Sequence, residues 1–370
     1  MSRLRRKDEH IFTALKLAQR SAISGFTDVA FVHNALPEIS SRDITLTTEL
    51  FGRTIEAPLV INAITGGGPG PGRINEALAI AARDTGLAMA VGSQTIAVEN
   101  PAYEESFKVV RRINQHGLVI ANVSAKESVE TALRAIDMIS ADALQVHLNA
   151  PQETAMKEGD RDFRGWLDNI SKIVKRVCVP VIVKEVGFGL SYEAARRLNE
   201  VGVVHFDVGG RGGTNFIAIE GWRGEGKQNC LESWGITTAA SLVETDSCGL
   251  SAAIIATGGI TNGLDAAKAL ALGASAAGIA GTYLKILWEQ SVDGLIQSIE
   301  NTKSDLKKVL LMVGVNSPQR LQNVPVVITG RTREWLNERG INTANYARRN
   351  GLVSTQNSIF PPGDGKPTKS

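Results

Sequence analysis

Residues 145–153 read QVHLNAPQE, and this stretch indicates the fold because an apolar strand turns polar at its carboxyl end. His147 and Asn149 are two residues apart, so on a strand they would project from the same face. Pro151 cannot donate to a sheet ladder, so we expect the strand to end there and the next two residues to lie on a loop. Polar groups placed in this way are typical of ligand sites in α/β enzymes. The alternative is a strand followed by ordinary polar turn residues.

The same pattern, a short apolar run that ends in glycine or polar residues before a helical period, recurs along the chain. The runs are 58–64, 87–94, 117–124, 145–153, 179–187, 205–210, 253–260 and 276–281. Helices are predicted between them, for example at 73–85, 192–201 and 263–272. Apolar strands that alternate with helices predict a parallel sheet covered on both faces. Eight such units favour an α/β fold of the (β/α)8 TIM-barrel type over an open doubly wound sheet.

The sequence divides into three parts. Residues 1–57 are predicted to form a basic arm and a helical segment at 11–21, residues 58–320 the barrel, and residues 321–370 a carboxyl-terminal extension with a disordered tail. The extension contains a predicted strand at 324–329 and a helix from Arg331. A glycine-rich, charged segment at 216–236 is long for a barrel loop, which indicates a lid or a partner contact.

Composition excludes several classes of protein. The 370 residues are 43% apolar and 21% charged with a formal net charge of +2, so no overall field favours nucleic acid or a membrane surface. No apolar run approaches the roughly 20 residues of a membrane span, and the amino terminus lacks the apolar segment of a secretory signal. Three widely spaced cysteines predict neither a disulfide framework nor a cysteine metal site. We therefore expect a cytoplasmic protein with a small-molecule partner.

Small residues end the seventh and eighth apolar runs. Gly258 and Gly259 follow Thr257, and Ala280 and Gly281 end the next run. In barrels these two loops often bind phosphate through backbone N–H groups, which only small residues allow a phosphate to approach. The hydroxyl of Thr214, after another glycine pair, could bind the same phosphate. The alternative is a pair of tight turns without a ligand.

Lys184 ends the fifth run, inside an otherwise apolar stretch. A buried lysine is costly unless it is paired, so it predicts either a Schiff base with a carbonyl substrate or a contact with an anionic cofactor. Neutral groups near the ends of the first three runs, on Thr65, Ser93 and Asn122, suit the polar edge of a flavin ring. Together with the phosphate loops they favour a barrel that binds FMN. Lys184 would then lie near the pyrimidine edge and stabilise the anionic reduced flavin.

Five motifs together resemble the family of type 2 isopentenyl-diphosphate isomerases, which are FMN-dependent enzymes. They are residues 6–11 (RKDEHI), 65–67 (TGG), 147–153 (HLNAPQE), 184–189 (KEVGFG) and 212–215 (GGTN). The resemblance extends from about Arg5 to Arg349. The first and third motifs are specific to that family among FMN barrels, whereas the others are shared more widely.

The resemblance implies an isomerase that interconverts isopentenyl and dimethylallyl diphosphate, with Mg²⁺ and with NADPH to reduce the flavin. It implies that Glu153 carries the metal and that the diphosphate substrate meets Arg6, Lys7, His10, His147, Asn149 and Gln152. The catalytic residues would be Lys184, His147 and Gln152. It implies FMN contacts from Ala63, Ile64, Thr65, Gly66, Ser93, Asn122, Lys184, Thr214, Gly258, Gly259, Ala280 and Gly281.

The sequence departs from the family pattern at two positions. Ile64 stands where many relatives have methionine, and Thr95 stands where some carry a further basic group. A backbone contact of Ile64 with the flavin would be unaffected by the change, whereas the contacts to the diphosphate could differ near Thr95.

Two other functions compete with the isomerase. An FMN-dependent oxidoreductase of the hydroxy-acid oxidase type usually needs a base and an arginine after later strands, and the sixth-run loop offers Arg211 but no histidine. It would consume NADPH or oxygen steadily with substrate. A barrel that is not an enzyme, but binds a phosphorylated ligand or serves as an assembly subunit, would purify colourless. Barrels of this kind often assemble, so we also expect a homo-oligomer.

Overall fold

The computed structural model describes residues 12–13, 15–16, 23–224, 229–249 and 253–349. Eight parallel strands form a closed barrel, which confirms the predicted (β/α)8 fold. They are β1 Leu59–Ile61, β2 Ala88–Ala90, β3 Val119–Ser124, β4 Ala143–Leu148, β5 Val181–Glu185, β6 His205–Asp207, β7 Ile254–Thr257 and β8 Ala276–Ile279. Strand β8 pairs with β1, opposing Ile279 to Ile61, and this pairing closes the ring.

Helices cover the outside of the barrel. Within the described residues the α-helices after β1 are Pro69–Thr85, Thr95–Glu99, Glu105–Ile113, Val129–Met138, Ala150–Ala155, Trp166–Arg176, Tyr192–Glu200, Phe216–Gly224, Thr238–Asp246, Gly263–Ala271, Gly281–Val313, Gly330–Glu338 and Ala344–Ala347. Short 3-10 helices are Phe26–Asp28, Ser41–Asp43, Pro101–Tyr103, Cys230–Ser233 and Pro318–Asn323. Several starts follow from local sequence, since the side chains of Ser128, Ser191 and Asn262 each cap the helix that follows.

Strand residues alternate between two apolar cores. Outward residues such as Ile61, Val146 and Phe206 pack against the helices. Inward residues fill the amino-terminal half of the barrel: Val60, Ala88, Ala90, Leu118, Ile120, Ala143, Ile182, Ile255 and Ala276. The near-continuous apolar runs of the sequence are therefore explained by burial on both faces of each strand.

A hairpin closes the amino-terminal end of the barrel. Strands Thr48–Leu50 and Arg53–Ile55 pair antiparallel, and Leu50 and Ile55 belong to the interior apolar cluster. An ion-pair network surrounds the hairpin, because Asp142 binds Arg53 at 3.0 Å and Arg111 at 2.7 Å. This end of the barrel is therefore packed rather than open.

The carboxyl-terminal segment lies against the barrel helices. Strand Val326–Ile328 pairs antiparallel with Val29–Phe31, which confirms the strand predicted at 324–329. The helix predicted from Arg331 is Gly330–Glu338. Its Trp335 Nε1 donates to the buried carboxylate of Glu244 at 2.6 Å. The division of the sequence into three parts stays a prediction.

One local prediction about the opening stretch is wrong. Strand β4 ends at Leu148, Asn149 is the N-cap of helix Ala150–Ala155, and Gln152 and Glu153 lie on that helix instead of on a loop. Pro151 lies in the first turn, where its missing N–H is not needed and its fixed φ favours helix. The strand therefore ends one residue before Asn149, so strand alternation does not place the Asn149 side chain on the same face as His147.

The structure also bears on the segment at 216–236, on the cysteines and on membrane-spanning helices. The segment at 216–236 contains the helix Phe216–Gly224, in which Ile217, Ala218 and Ile219 are buried. All three cysteines are free thiols. No helix among the described residues has both the length and the apolar character that a membrane crossing requires.

Candidate active site

A layer of polar side chains lies inside the carboxyl-terminal half of the barrel. Each lies two positions after an interior residue of its own strand segment, so strand alternation turns it inward. The buried members are Asn62, Asn122, Gln145, Lys184, Asp207 and Thr257. The barrel interior thus changes from apolar to polar along its axis, and the polar half is the end where barrel enzymes place their active sites.

Lys184 and Asp207 form the charged centre of this layer. Lys184 Nζ lies 2.9 Å from Asp207 Oδ2, and the Asp207 side chain is 0% exposed. The same oxygen accepts from Asn62 Nδ2 at 2.6 Å and from Gln145 Nε2 at 3.3 Å. Asp207 Oδ1 accepts from the backbone N–H of Gly209 at 3.2 Å. Lys184 therefore has a carboxylate partner inside the barrel, which the sequence did not predict.

The amides extend the layer to His147. Gln145 Nε2 donates to Asn62 Oδ1 at 3.0 Å, and Asn122 Nδ2 donates to Gln145 Oε1 at 3.1 Å. His147 Nδ1 lies 2.8 Å from Asn122 Oδ1. Lys184 and His147, which the sequence indicated separately, also oppose each other across β4 and β5.

The glycine loops predicted to bind phosphate converge at the same end of the barrel. A Cβ at Gly259, which has φ +72°, would lie 2.3 Å from the carbonyl oxygen of Gly212. A Cβ at Gly213 would lie 2.9 Å from the backbone nitrogen of Gly259. Thr214 Oγ1 lies 3.6 Å from where a Cβ of Gly281 would stand, and Gly281 begins a helix that is interrupted at Ser291, where φ is 82°. Small residues therefore form a cradle of backbone beside a helix amino terminus, which suits an anion.

The residues predicted to meet the polar edge of a flavin follow the first three strands. Thr65 is buried, and its carbonyl oxygen accepts from the N–H of Gly92 at 3.0 Å. Ala63, Ile64 and Ser93 are partly exposed, so their groups face accessible space. Gly66 packs on Phe107, because a Cβ there would lie 2.1 Å from the ring. Asn122 lies within β3 rather than at its end, and both of its amide atoms already bind neighbours.

Glu153 and Asn149 form a second group of oxygen atoms beside this layer. Glu153 is buried, its Oε1 accepts from Asn149 Nδ2 at 3.0 Å, and its Oε2 accepts from the N–H of Asp160 at 3.0 Å. Asn149 Oδ1 is buried without a protein partner. Across the described ranges, no group of three or more His, Cys, Asp or Glu side chains could hold a metal. A cation here would need ligands from elsewhere, such as a substrate.

Helix Phe216–Gly224 packs on helix Ala150–Ala155 and adds a buried charge that the sequence reading did not single out. Glu220 is buried and pairs with Arg223, and Arg223 also reaches Glu158 at 3.5 Å. In the sequence, Glu220 is recognisable only as a carboxylate within an apolar helical run. This helix therefore forms one wall beside the candidate metal residues.

Glu185 follows Lys184 but points away from the barrel interior. Burial raises the pKa of the Glu185 carboxyl to about 8. Its Oε2 accepts from the backbone N–H groups of Phe188 at 2.5 Å and Gly189 at 3.2 Å. Glu185 therefore holds the turn after β5 rather than the polar layer.

The sequence did not point to several polar side chains of the barrel interior, and three predicted site residues lie outside the described part of the chain. Asn62, Gln145, Asp207 and Thr257 were treated only as strand residues, although a polar residue at a period of two within an apolar strand is the signal of an inward polar layer. Arg6, Lys7 and His10 lie outside the described residues, and their assignment stays a prediction.

The chain is similar to known proteins in sequence and in fold. Residues 103–327 match the family of FMN-dependent dehydrogenases. The isopentenyl-diphosphate delta-isomerase of Moorella thermoacetica is 51% identical over 339 residues, which are 92% of this chain and 97% of that protein. The isopentenyl-diphosphate delta-isomerase of Geobacillus sp. is 49% identical over 350 residues, which are 94% of this chain and 100% of that protein.

Mandelate oxidase structures share the fold. One determined with (S)-2-phenylpropionate superimposes with a TM-score of 0.61 at 18% identity and covers 86% of this chain and 94% of its own. At that identity the similarity concerns the fold alone. The full-length identity to the isomerases is much higher. The chain therefore belongs to the FMN-dependent dehydrogenase family and, within it, to the isopentenyl-diphosphate delta-isomerases.

Proposed function

We propose that this protein interconverts isopentenyl diphosphate and dimethylallyl diphosphate, using FMN and Mg²⁺ and without net oxidation or reduction. The observation that carries the proposal is the placement of Glu153 and the unpartnered Asn149 Oδ1 beside the Lys184 layer. A diphosphate needs a cation and its oxygen ligands, whereas a hydroxy acid does not. Glu153 would carry the metal, and the substrate phosphates would complete its coordination.

The loops at the carboxyl end of the barrel fit FMN. The converging glycines at 212–213 and 258–259, with Thr214, Ala280 and Gly281, would hold the phosphate through backbone N–H groups. Residues 63–66 and Ser93 would border the ring, and Lys184 would supply a positive charge near its pyrimidine edge. When bound and reduced, FMN supplies proton-transfer chemistry that the side chains of the site do not offer by themselves.

Other residues of the chain would bind and orient the diphosphate. Asn149 Oδ1 has no protein partner, so it is free to meet the metal or the substrate. His147 would hold a proton at Nδ1 toward Asn122, and Gln152, on the same short helix as Glu153, would touch the substrate. Arg6, Lys7 and His10 would supply counter-charge in an otherwise near-neutral chain.

Other parts of the proposal rest on the family resemblance. NADPH would reduce the flavin, and the protein would act in the cytoplasm as a homo-oligomer. Trp222 and Trp234 are 48% and 63% exposed, which supports a contact at the segment 216–236.

The proposal is tested by anaerobic turnover with FMN reduced by NADPH or dithionite. We expect many product molecules per electron pair, because product and substrate have the same oxidation state, and near silence from oxidised enzyme. In D₂O, deuterium should enter the carbon that becomes a methyl group. Consumption of one NADPH per product, or product free of solvent deuterium, would instead support an oxidoreductase of the hydroxy-acid oxidase type.

A further inference from the structure

Asp207 is the carboxylate at the centre of the polar layer inside the barrel. Its side chain is fully buried, and it lies at the carboxyl end of β6, in register with Lys184 on the neighbouring strand β5. Burying a carboxylate costs free energy unless its oxygen atoms accept hydrogen bonds. The donors and acceptors around it therefore indicate whether it is ionised.

The surroundings of Asp207 consist of donors. Lys184 Nζ, Asn62 Nδ2 and Gln145 Nε2 all lie within 3.3 Å of Oδ2. The backbone N–H of Gly209 donates to Oδ1. An ionised carboxylate only accepts hydrogen bonds, whereas a protonated one must donate one. The arrangement is therefore that of an ionised carboxylate beside an ammonium group.

Asp207 also determines which way each side-chain amide is turned in the hydrogen-bond chain that leads to His147. Because Gln145 turns its Nε2 toward Asp207, its Oε1 faces Asn122 and accepts from Asn122 Nδ2. Asn122 Oδ1 then has to accept from His147. This chain therefore requires a hydrogen on Nδ1 of His147, and when the imidazole is neutral it selects the Nδ1–H tautomer.

We infer that Asp207 is a positioning residue for both Lys184 and His147: it moderates the positive field of the lysine at the flavin and selects the tautomer of the histidine. The inference rests on the proposed FMN site and adds to it. Lys184 by itself would favour the anionic reduced flavin strongly. The neighbouring negative charge, 2.9 Å away, offsets part of that effect and holds the ammonium group in one place.

The first test measures the midpoint potential of FMN bound to the Asp207→Asn holoenzyme. Loss of the carboxylate charge should increase the preference for reduced over oxidised FMN at least tenfold, a positive shift of about 30 mV for two electrons. Asp142→Asn is the matched control, because it removes one ion-paired carboxylate at the opposite end of the barrel. A shift no larger than that of the control, or a negative shift, would overturn the effect of Asp207 on the flavin.

A second variant pair covers the case in which Asp207→Asn does not retain FMN. Lys184→Met leaves Asp207 unpaired, whereas Lys184→Met with Asp207→Asn leaves no unpaired charge. The double variant should have the more positive potential of the two, or the tighter binding of reduced FMN if potentials cannot be measured. Equal values both at neutral pH and at alkaline pH, where the unpaired carboxyl group is ionised, would show that the flavin does not sense Asp207.

A separate experiment tests whether the hydrogen-bond chain from Asp207 selects the tautomer of His147. Gln145→Leu interrupts the chain while leaving the contact between Lys184 and Asp207 in place. Nitrogen chemical shifts of ¹⁵N-labelled histidine should show His147 with hydrogen on Nδ1 in the unaltered protein and a shift toward Nε2 in the variant. An unchanged tautomer would refute the chain. A protein that binds no FMN would refute the proposed function, whereas an active flavoprotein indifferent to Asp207 would refute only this inference.

Discussion

The two ends of the barrel use charged side chains in opposite ways. At the amino-terminal end, Asp142 pairs with Arg53 of the hairpin and with Arg111, and Arg111 also donates to backbone carbonyl oxygens such as those of Gly117 and Ser140. At the carboxyl-terminal end, Lys184 and Asp207 lie in a polar interior next to loops made of small residues. Both pairs are well hydrogen-bonded, but only the second adjoins a cradle that fits a ligand.

The comparison shows that a well hydrogen-bonded ion pair by itself does not mark an active site. The surroundings of the pair decide whether it can take part in a site. Arg111 and Asp142 bind backbone groups of the fold, whereas Lys184 and Asp207 join a chain of side chains that leads to the partly exposed His147. In barrel enzymes, residues at the amino-terminal face generally stabilise the fold, and residues at the carboxyl-terminal face carry the chemistry. Substitutions at the two ends should therefore have separable effects.

The largest effect is expected from Lys184→Ala at the carboxyl-terminal end. It should lower isomerase activity by roughly a thousandfold or more, since about 1.4 kcal/mol lost corresponds to tenfold in rate. Leaving Asp207 buried and unpaired should also lower the free energy of unfolding by about 3–5 kcal/mol. Flavin content, turnover and denaturant unfolding measure the three consequences. Unchanged flavin content and activity would remove Lys184 from the site.

Glu153→Gln should come next and should affect turnover without affecting the flavin. We expect roughly a hundredfold loss of Mg²⁺-dependent activity, about 2.7 kcal/mol, because the amide replaces the proposed metal carboxylate. FMN content and its visible spectrum should remain unchanged, since the phosphate loops lie elsewhere. If the rate in this variant keeps its original dependence on Mg²⁺, the metal assignment is wrong.

Arg111→Met tests the amino-terminal end. It removes a part-buried guanidinium that binds Asp142 and several carbonyl groups, so the free energy of unfolding should fall by about 2 kcal/mol. Turnover and flavin content per folded molecule should match the unaltered protein. Thermal unfolding and specific activity, measured on the same samples, separate the two outcomes. A selective loss of turnover would contradict the division between the ends.

Arg53→Met should have the smallest effect and serves as a comparison within the same network. The Arg53 side chain is 42% exposed, so its ion pair with Asp142 is screened by solvent. Its loss should lower the free energy of unfolding by under about 1 kcal/mol, less than Arg111→Met. An equal or larger loss would mean that the hairpin depends on Arg53 rather than on apolar contact.

Much of the fold could be predicted because its signals are local. A run of apolar residues followed by a glycine pair and a helical period needs only neighbouring residues to be recognised, and eight such units led to the observed barrel. The prediction failed at Gln152 and Glu153 because Pro151 can either end a strand or begin a helix. The residues around it do not decide between the two.

The sequence by itself determined the alternation of strands and helices, the glycines at the strand ends, the isolated lysine and the motif at 147–153. Only the tertiary structure decided that Asp207 is the partner of Lys184 and that Asn62, 145 residues away, shares the same carboxylate. The physical reason is that strand alternation specifies which side chains turn inward, whereas the register of neighbouring strands and the closure of the ring decide which inward side chains meet. Those contacts depend on the packing of the whole barrel and leave no local pattern in the chain.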